Sequence, residues 1–436
     1  MGIKPKIIHD DLPLISPKSV IPYNVQYAPP NDAVVMFDLT SGIYKFSKQA
    51  AENRTIMTGV EFCNVFNNKL YNLCRMKRNL FAKFIVVCLD KRQYVPQSKA
   101  RTQLKRKKTN DYYPTECTFC DEGMKYPDGR IELIDTMKLA RSSRLHTAMS
   151  KYLYENMDEV QNVTVIMDCW DTPKLVGSCA LDLPSNKIGE ADLQLMFWTK
   201  YFEDHPIVHI TVDGDEIPLC VSYINKYGLP KKQWHWIQHW SPTPLKDYNV
   251  IDLVQFYTDL VTNHYFFDSK CITASLIQSN LKGDIFVLYT LMFGTDYTEF
   301  TQWTKYVKHK QVWTGLVANS EILDEMFYLW QKSKHHDVWV EHEDEKDWME
   351  RSCEIMHVVY RRILSVWLKH DPSTKLSSLA SLKAQITTKA RPSEPEDMKQ
   401  VVRELRYTFL YWKNFHVPNE AEPKKIETIL DCLMID

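Results

Sequence analysis

Over the first half of the chain, apolar residues come in short, nearly unbroken runs, several of which end in an acid. Ala33–Phe37 runs into Asp38, Phe81–Leu89 into Asp90 and Ile207–Val212 into Asp213, and a further run covers Val163–Asp168. Runs of this kind predict strands buried on both faces of a parallel sheet. Residues 43–81, 131–157 and about 190–202 predict helices between them, with a short apolar segment over Leu175–Leu183. Residues 1–32, proline-bearing and without a period, predict an extended arm, and 109–130 is polar and turn-rich. From about residue 250 the pattern is helix after helix, with Ser373–Pro395 as an exposed linker. Strands alternating with helices predict an α/β domain, its mostly parallel sheet flanked by helices, followed by a helical C-terminal region.

Composition narrows the functional classes. With 54 Lys and Arg against 55 Asp and Glu, and 44% hydrophobic residues, the chain is an ordinary globular one, not a disordered, collagenous or coiled-coil one as a whole. It has 12 glycines and neither a Walker loop nor a dinucleotide fingerprint. No G-x-S-x-G nucleophile motif occurs. The apolar run Ile285–Phe293 is far short of the ~20 residues that cross a bilayer, and the start lacks the apolar core of a signal peptide. Eleven irregularly spaced cysteines predict reduced thiols in an intracellular protein. Cys117 and Cys120 form a CxxC with no second pair at zinc spacing. His335, His336 and His342, set among Glu341, Glu343, Asp344 and Glu345, predict a solvated polar loop. Within this neutral chain, Lys91–Lys108 holds eight basic residues and no acid, a candidate contact for a polyanion.

The acids carry the chemistry. In parallel α/β sheets, ligands bind outside the carboxyl ends of the strands, where Asp38, Asp90 and Asp213 are expected. Asp215 follows Asp213 by two residues and shares its face if the strand continues. Glu190 and Asp192 open a predicted helix and reach one pocket only if Glu190 precedes the first turn. Asp296 follows the Ile285–Phe293 run. Clustered carboxylates raise one another's pKa unless a cation offsets them. All-oxygen donors point to Mg²⁺, with Mn²⁺ as a substitute, and two such ions ~4 Å apart form a clamp for phosphodiester hydrolysis.

Short motifs occur in a telling order: Met1-Gly2-Ile3-Lys4, Asp38–Tyr44, Cys88-Leu89-Asp90, Pro96–Lys99, Gly189-Glu190-Ala191-Asp192, Val212-Asp213-Gly214-Asp215 and Gly294-Thr295-Asp296-Tyr297. Together they resemble the flap endonuclease and 5′–3′ exonuclease superfamily of structure-specific nucleases, with its PIN-like fold. The resemblance implies a nuclease core over 1–300, a basic helical arch or gateway over 91–130 and a helical region over 301–436. It implies two Mg²⁺ held by Asp38, Asp90, Glu190, Asp192, Asp213 and Asp215, with Asp296 supporting. Lys99 and Arg106, seven residues apart and so on one helix face, would reach the scissile phosphate. Gly2 would lie near the substrate and Tyr44 would stack on a base. Lys91, Arg92, Arg101, Lys105, Lys107 and Lys108 would guide a nucleic-acid strand.

The expected substrate is DNA with a 5′ flap, nick or free 5′ end, in replication, recombination or repair. Replication proteins are then candidate partners, and the nucleus or a cytoplasmic viral replication compartment the expected location. The chain departs from the family in two places. Lys91 stands where the family has glycine, and Thr298–Lys305 lacks the glycines of a duplex-gripping helix–hairpin–helix. No clear sliding-clamp motif occurs near the C-terminus. Such divergence with intact acids is what a version encoded by a large DNA virus would show. Two alternatives stay open: an endoribonuclease that cuts mRNA on the same fold, and a catalytically inactive, nuclease-derived scaffold.

Overall fold

The computed structural model describes residues 12–22, 27–39, 56–76, 79–91, 94, 116–136, 139, 143–157, 163–170, 172–211, 213–237, 249–262, 265–266, 269–270, 279–293, 309–333, 345–370 and 395–414. Eight strands form the central sheet: β1 (Val20–Pro22), β2 (Ala33–Asp38), β3 (Ala82–Cys88), β4 (Thr164–Asp168), β5 (Lys174–Val176), β6 (Ile207–Ile210), β7 (Trp234–Ile237) and β8 (Asn249–Asp252). Their order across the sheet is β1-β8-β7-β6-β2-β3-β4-β5. The five central strands, β7-β6-β2-β3-β4, are mutually parallel. The outer pairings, β4 with β5, β7 with β8 and β8 with β1, are antiparallel. Every residue of β2, β4, β6 and β7 is buried, which is why these segments read as continuous apolar runs.

Crossover helices cover both faces. Helices α1 (Gly59–Leu73) and α2 (Ser143–Asn156) serve the crossovers β2→β3 and β3→β4; α3 (Ala191–Tyr201) and α4 (Glu216–Tyr227) precede and follow β6. Alternate residues of each strand point to opposite sides. Val35, Phe37, Ile85 and Val87 pack with Phe62, Phe66 and Leu70 of α1 and Leu145, Met149 and Leu153 of α2. On the other side, Val34, Met36, Phe84 and Val86 pack with Trp198 of α3 and Ile217 and Ile224 of α4. The chain thus runs outward from β2 through β3 and β4, then returns to lay β6 and β7 on the other side of β2. The winding reverses between β2 and β6.

Six more helices follow: α5 (Leu253–Thr262), α6 (Ser279–Met292), α7 (His309–Val317), α8 (Ser320–Lys332), α9 (Glu345–His370) and α10 (Pro395–Lys413). Helix α10 packs on α4 and α6, and Lys413 Nζ pairs with Asp284 Oδ2 of α6 at 2.9 Å. One hydrophobic cluster joins α3 and α4 to Phe327 of α8, Ile363 of α9 and Trp412 of α10. The core therefore continues across the expected division near residue 300. No described helix is long and apolar enough to cross a membrane.

Several elements differ from expectation. Of the helix expected over 43–81, the described part carries a helix at Gly59–Leu73, started by a capping box between Thr58 and Glu61 and flanked by short strands, while 43–55 lie outside the described residues. The stretch 131–157 opens with two short strands before α2. The turn-rich 109–130 contains the hairpin Thr118–Cys120 with Gly123–Lys125, whose Gly123 has φ +154° and no room for a Cβ against the Glu132 carbonyl. Residues 1–32 supply β1, and β7 and β8 were not expected at all.

Candidate metal centre at the carboxyl edge of the sheet

Asp38 is the last residue of β2 and is buried. Its register partner in β3 is Cys88, which in turn faces Asp168 at the end of β4. Asp90 lies two residues beyond Cys88. On the other side of β2, Ile210 at the end of β6 pairs with Phe37, and Thr211 and Asp213 follow. With neighbouring strands ~4.8 Å apart, Asp38, Asp90 and Asp213 occupy one edge of three adjacent parallel strands. That edge includes the β2/β6 reversal, the crevice where open α/β sheets bind ligands.

The strand does not continue through Asp213 and Asp215, as one expectation required. β6 stops at Ile210, the Asp213 N–H donates to Thr211 Oγ1 (3.1 Å) and the Asp215 N–H donates to Asp213 Oδ1 (3.2 Å). Asp215, buried, sits at the N-cap of α4. Both acids reach the edge from a turn instead of from one strand face.

Glu190 does precede the first turn of α3 and forms its N-cap, with Asp192 inside that turn; both are buried. The Ala191 N–H donates to Asp90 Oδ1 at 2.9 Å. Gln194 Nε2 donates to the carbonyls of Leu89 (2.9 Å) and Ile188 (3.0 Å). The Lys91 N–H donates to the Gly189 carbonyl at 2.7 Å. These bonds fasten the start of α3 to the end of β3 and bring Glu190 and Asp192 beside Asp90. The N-termini of α3 and α4 thus meet the same edge, where their partial positive charge favours carboxylates.

Lys91, expected to guide a nucleic-acid strand, is instead 1% exposed, and its Nζ pairs with Asp168 Oδ1 at 2.6 Å and donates to the Asn186 carbonyl. The reason is local: the chain leaves β3 beside the buried end of β4, where Asp168 needs a counter-charge. Asp168 Oδ2 also accepts from Asn186 Nδ2 (2.6 Å) and Trp198 Nε1 (2.7 Å). Burial pushes the Asp168 carboxyl pKa up, while Lys91 and these hydrogen bonds pull it back. Asp168 and Asn186 were not singled out from the sequence, although Asp168 ends an apolar run just as Asp38 does.

Gly2, Tyr44, Arg92, Lys99, Arg101, Lys105, Arg106, Lys107, Lys108 and Asp296 lie outside the described residues, as do His335, His336, His342 and the Thr298–Lys305 segment. Cys117, buried, and Cys120, half-buried, are both free thiols.

The donor chemistry at the edge fits a hard divalent cation, since all six described acids offer carboxylate oxygens. Among the described residues, no three of these acids bring their carboxylate oxygens within 4.8 Å of one another. Among the described residues, the group of three whose donor atoms all lie within 4.8 Å of one another is a different one: His209 of β6 with Glu216 and Cys220 of α4. All three are buried, and together they could hold a metal ion. This group was missed because it has no sequence motif; only the β6–α4 turn brings His209 over the Glu216–Cys220 face. No protein-family model matches this chain, and no curated protein matches it.

Proposed function

We propose that this chain is a metal-dependent nuclease of the 5′-nuclease type that hydrolyses DNA phosphodiester bonds. One observation carries the reading: Asp38, Asp90, Glu190, Asp192, Asp213 and Asp215 all stand at strand ends or helix starts along the carboxyl edge of β6, β2 and β3, at the reversal of winding. These acids would hold two Mg²⁺ ions, with Mn²⁺ as a substitute. When bound, the ions would supply an attacking water of lowered pKa and stabilise charge on the departing 3′ oxygen. Asp90, through Ala191, keeps the start of α3 in place and so keeps Glu190 and Asp192 at the edge. Asp213 shapes the turn that carries Asp215. The buried floor of β2, β3 and β6 excludes water from beneath the site, which strengthens every charge interaction above it. The motif resemblance adds Lys99 and Arg106 on the scissile phosphate, Tyr44 on a base and Asp296 as a supporting acid.

The test is cleavage of end-labelled substrates with Mg²⁺, comparing a 5′-flap DNA, a nicked duplex, single-stranded DNA and single-stranded RNA. The expected result is structure-dependent DNA cutting that Asp213→Asn abolishes while the fold is kept. Preferential RNA cutting would reassign the substrate to mRNA. No cutting of any substrate, or cutting that survives Asp213→Asn, would refute the assignment and favour the scaffold alternative.

A further inference from the structure

Beneath the acid edge, His209, Glu216 and Cys220 close on one another inside the core, each wholly buried. Glu216 and Cys220 lie one turn apart on α4 and so share a face, which turns toward His209 of β6. His209 Nδ1 meets Glu216 Oε1 directly. On the other side of the ring, His209 Nε2 lies 2.8 Å from Thr199 Oγ1. The Thr199 hydroxyl donates to the Leu195 carbonyl at 2.9 Å, which uses its single proton and makes it an acceptor toward the ring. In that arrangement Nε2 carries the ring hydrogen and Nδ1 presents its lone pair to a carboxylate oxygen. A lone pair and a carboxylate face to face need a cation between them. A proton would serve that contact alone. It would leave Glu216 Oε2, buried and without a hydrogen-bond partner among the described residues, and Cys220 Sγ, which makes a 3.7 Å thiol contact to Glu216 Oε1.

We propose that this cluster is a structural site for Zn²⁺ or another borderline first-row divalent ion, held by His209 Nδ1, both oxygens of Glu216 and Cys220 Sγ. Mixed nitrogen, oxygen and sulfur donors select such an ion over Mg²⁺. A bidentate Glu216 gives four donor atoms from three residues, a four-coordinate site distorted from the tetrahedron by the narrow carboxylate bite, and accounts for the orphaned oxygen. Tetrahedral bonds of zinc length place sulfur and oxygen about 3.5 Å apart, close to the 3.7 Å here. Loading the ion opens the direct His209–Glu216 contact. The ion, one carboxylate and one thiolate sum to zero charge, as the apolar surroundings require; the Trp234 ring packs edge-on against His209 at 5.3 Å. Thr199 plays the part that outer partners of metal-bound histidines play, fixing tautomer and ring orientation. The site would pin β6 to α4 directly below Asp213 and Asp215. It stands independently of the nuclease reading.

The experiment uses the full chain, purified without chelator and analysed for bound metals, then stripped and reloaded with Co²⁺. One zinc per chain is expected, with a thiolate-to-cobalt charge-transfer band and the visible bands of low-coordinate, distorted cobalt after reloading. Cys220→Ser should lose the charge-transfer band, while Asp213→Asn keeps it. A chain that folds without stoichiometric transition metal and gives no thiolate band with Co²⁺ overturns the proposal. So does a Cys220→Ser spectrum identical to wild type. Should Cys220→Ser fail to fold, the wild-type metal content and cobalt spectrum decide alone.

Discussion

Removing the charge of Lys91 tests the clasp that holds the start of α3 against β3. Lys91→Met keeps the length of the side chain and leaves the Asp168 carboxylate buried without its ion-pair partner. Deleting one partner of a buried pair costs about 3–5 kcal/mol. Asp168 retains its bonds from Asn186 and Trp198, so the loss should fall near the lower end, ~3 kcal/mol. The double variant Lys91→Met/Asp168→Asn removes the stranded charge and keeps an acceptor for Trp198. It should therefore recover part of the loss, with a coupling energy of about 1–3 kcal/mol. The pH dependence has a definite sign. A carboxyl whose folded pKa is raised penalises the folded state above the ordinary carboxylate range and not below it, because protonation removes the buried charge. Burial already raises the Asp168 pKa, and loss of Lys91 removes the largest opposing influence. The deficit of Lys91→Met should thus grow as pH rises through that range and shrink as pH falls. Urea unfolding followed by tryptophan fluorescence at a series of pH values measures it. A loss below about 1 kcal/mol, the size typical of exposed pairs, or one that does not shrink in acid, would refute the reasoning.

Other perturbations separate chemistry from scaffolding. Asp90→Asn keeps an oxygen for the Ala191 N–H but loses its charge, so stability should change by less than about 1 kcal/mol while Mg²⁺-dependent cleavage falls at least a hundredfold, about the size of lost electrostatic stabilisation. Trp198→Phe deletes a 2.7 Å donor to Asp168; unfolding should show a loss of about 1.5–3 kcal/mol, as for a hydrogen bond to a charged group. Gly283→Ala places a Cβ 2.3 Å from Asn225 Oδ1, which is already held by the Tyr257 hydroxyl at 2.6 Å. That overpacking between α6 and α4 should cost about 1–3 kcal/mol in the same assay, and an unchanged midpoint would show that α6 can shift.

Strands β2, β3, β4 and β6 were legible because burial on both faces forces unbroken apolar runs. Trp234–Ile237 is just as buried, but His235 interrupts it and four residues give too short a run to read. The start of α1 carried a usable signal, Thr58 with Glu61 three residues on, which the periodicity over 43–81 smeared out. No strand-end acid was decisive alone, because caps and ion pairs also place acids there, as Asp168 with Lys91 shows; the signal lay in six acids at comparable strand-end or helix-start positions. Lys91 was not, because a count of basic residues describes a stretch and not the one side chain that folds back onto a buried acid. His209 and Glu216 are seven residues apart and carry no spacing rule across a strand–turn–helix boundary; only the fold joins them.

The proposed nuclease requires divalent cations at the acids around the β2/β6 reversal. Anomalous scattering from crystals of the full chain soaked in Mn²⁺ tests it without reference to any substrate. Two manganese sites about 4 Å apart are expected, bounded by Asp38 and Asp90 on one side and Asp213 and Asp215 on the other, and lost together in Asp38→Asn. Manganese bound elsewhere with this edge empty, or sites that survive Asp38→Asn unchanged, would contradict it.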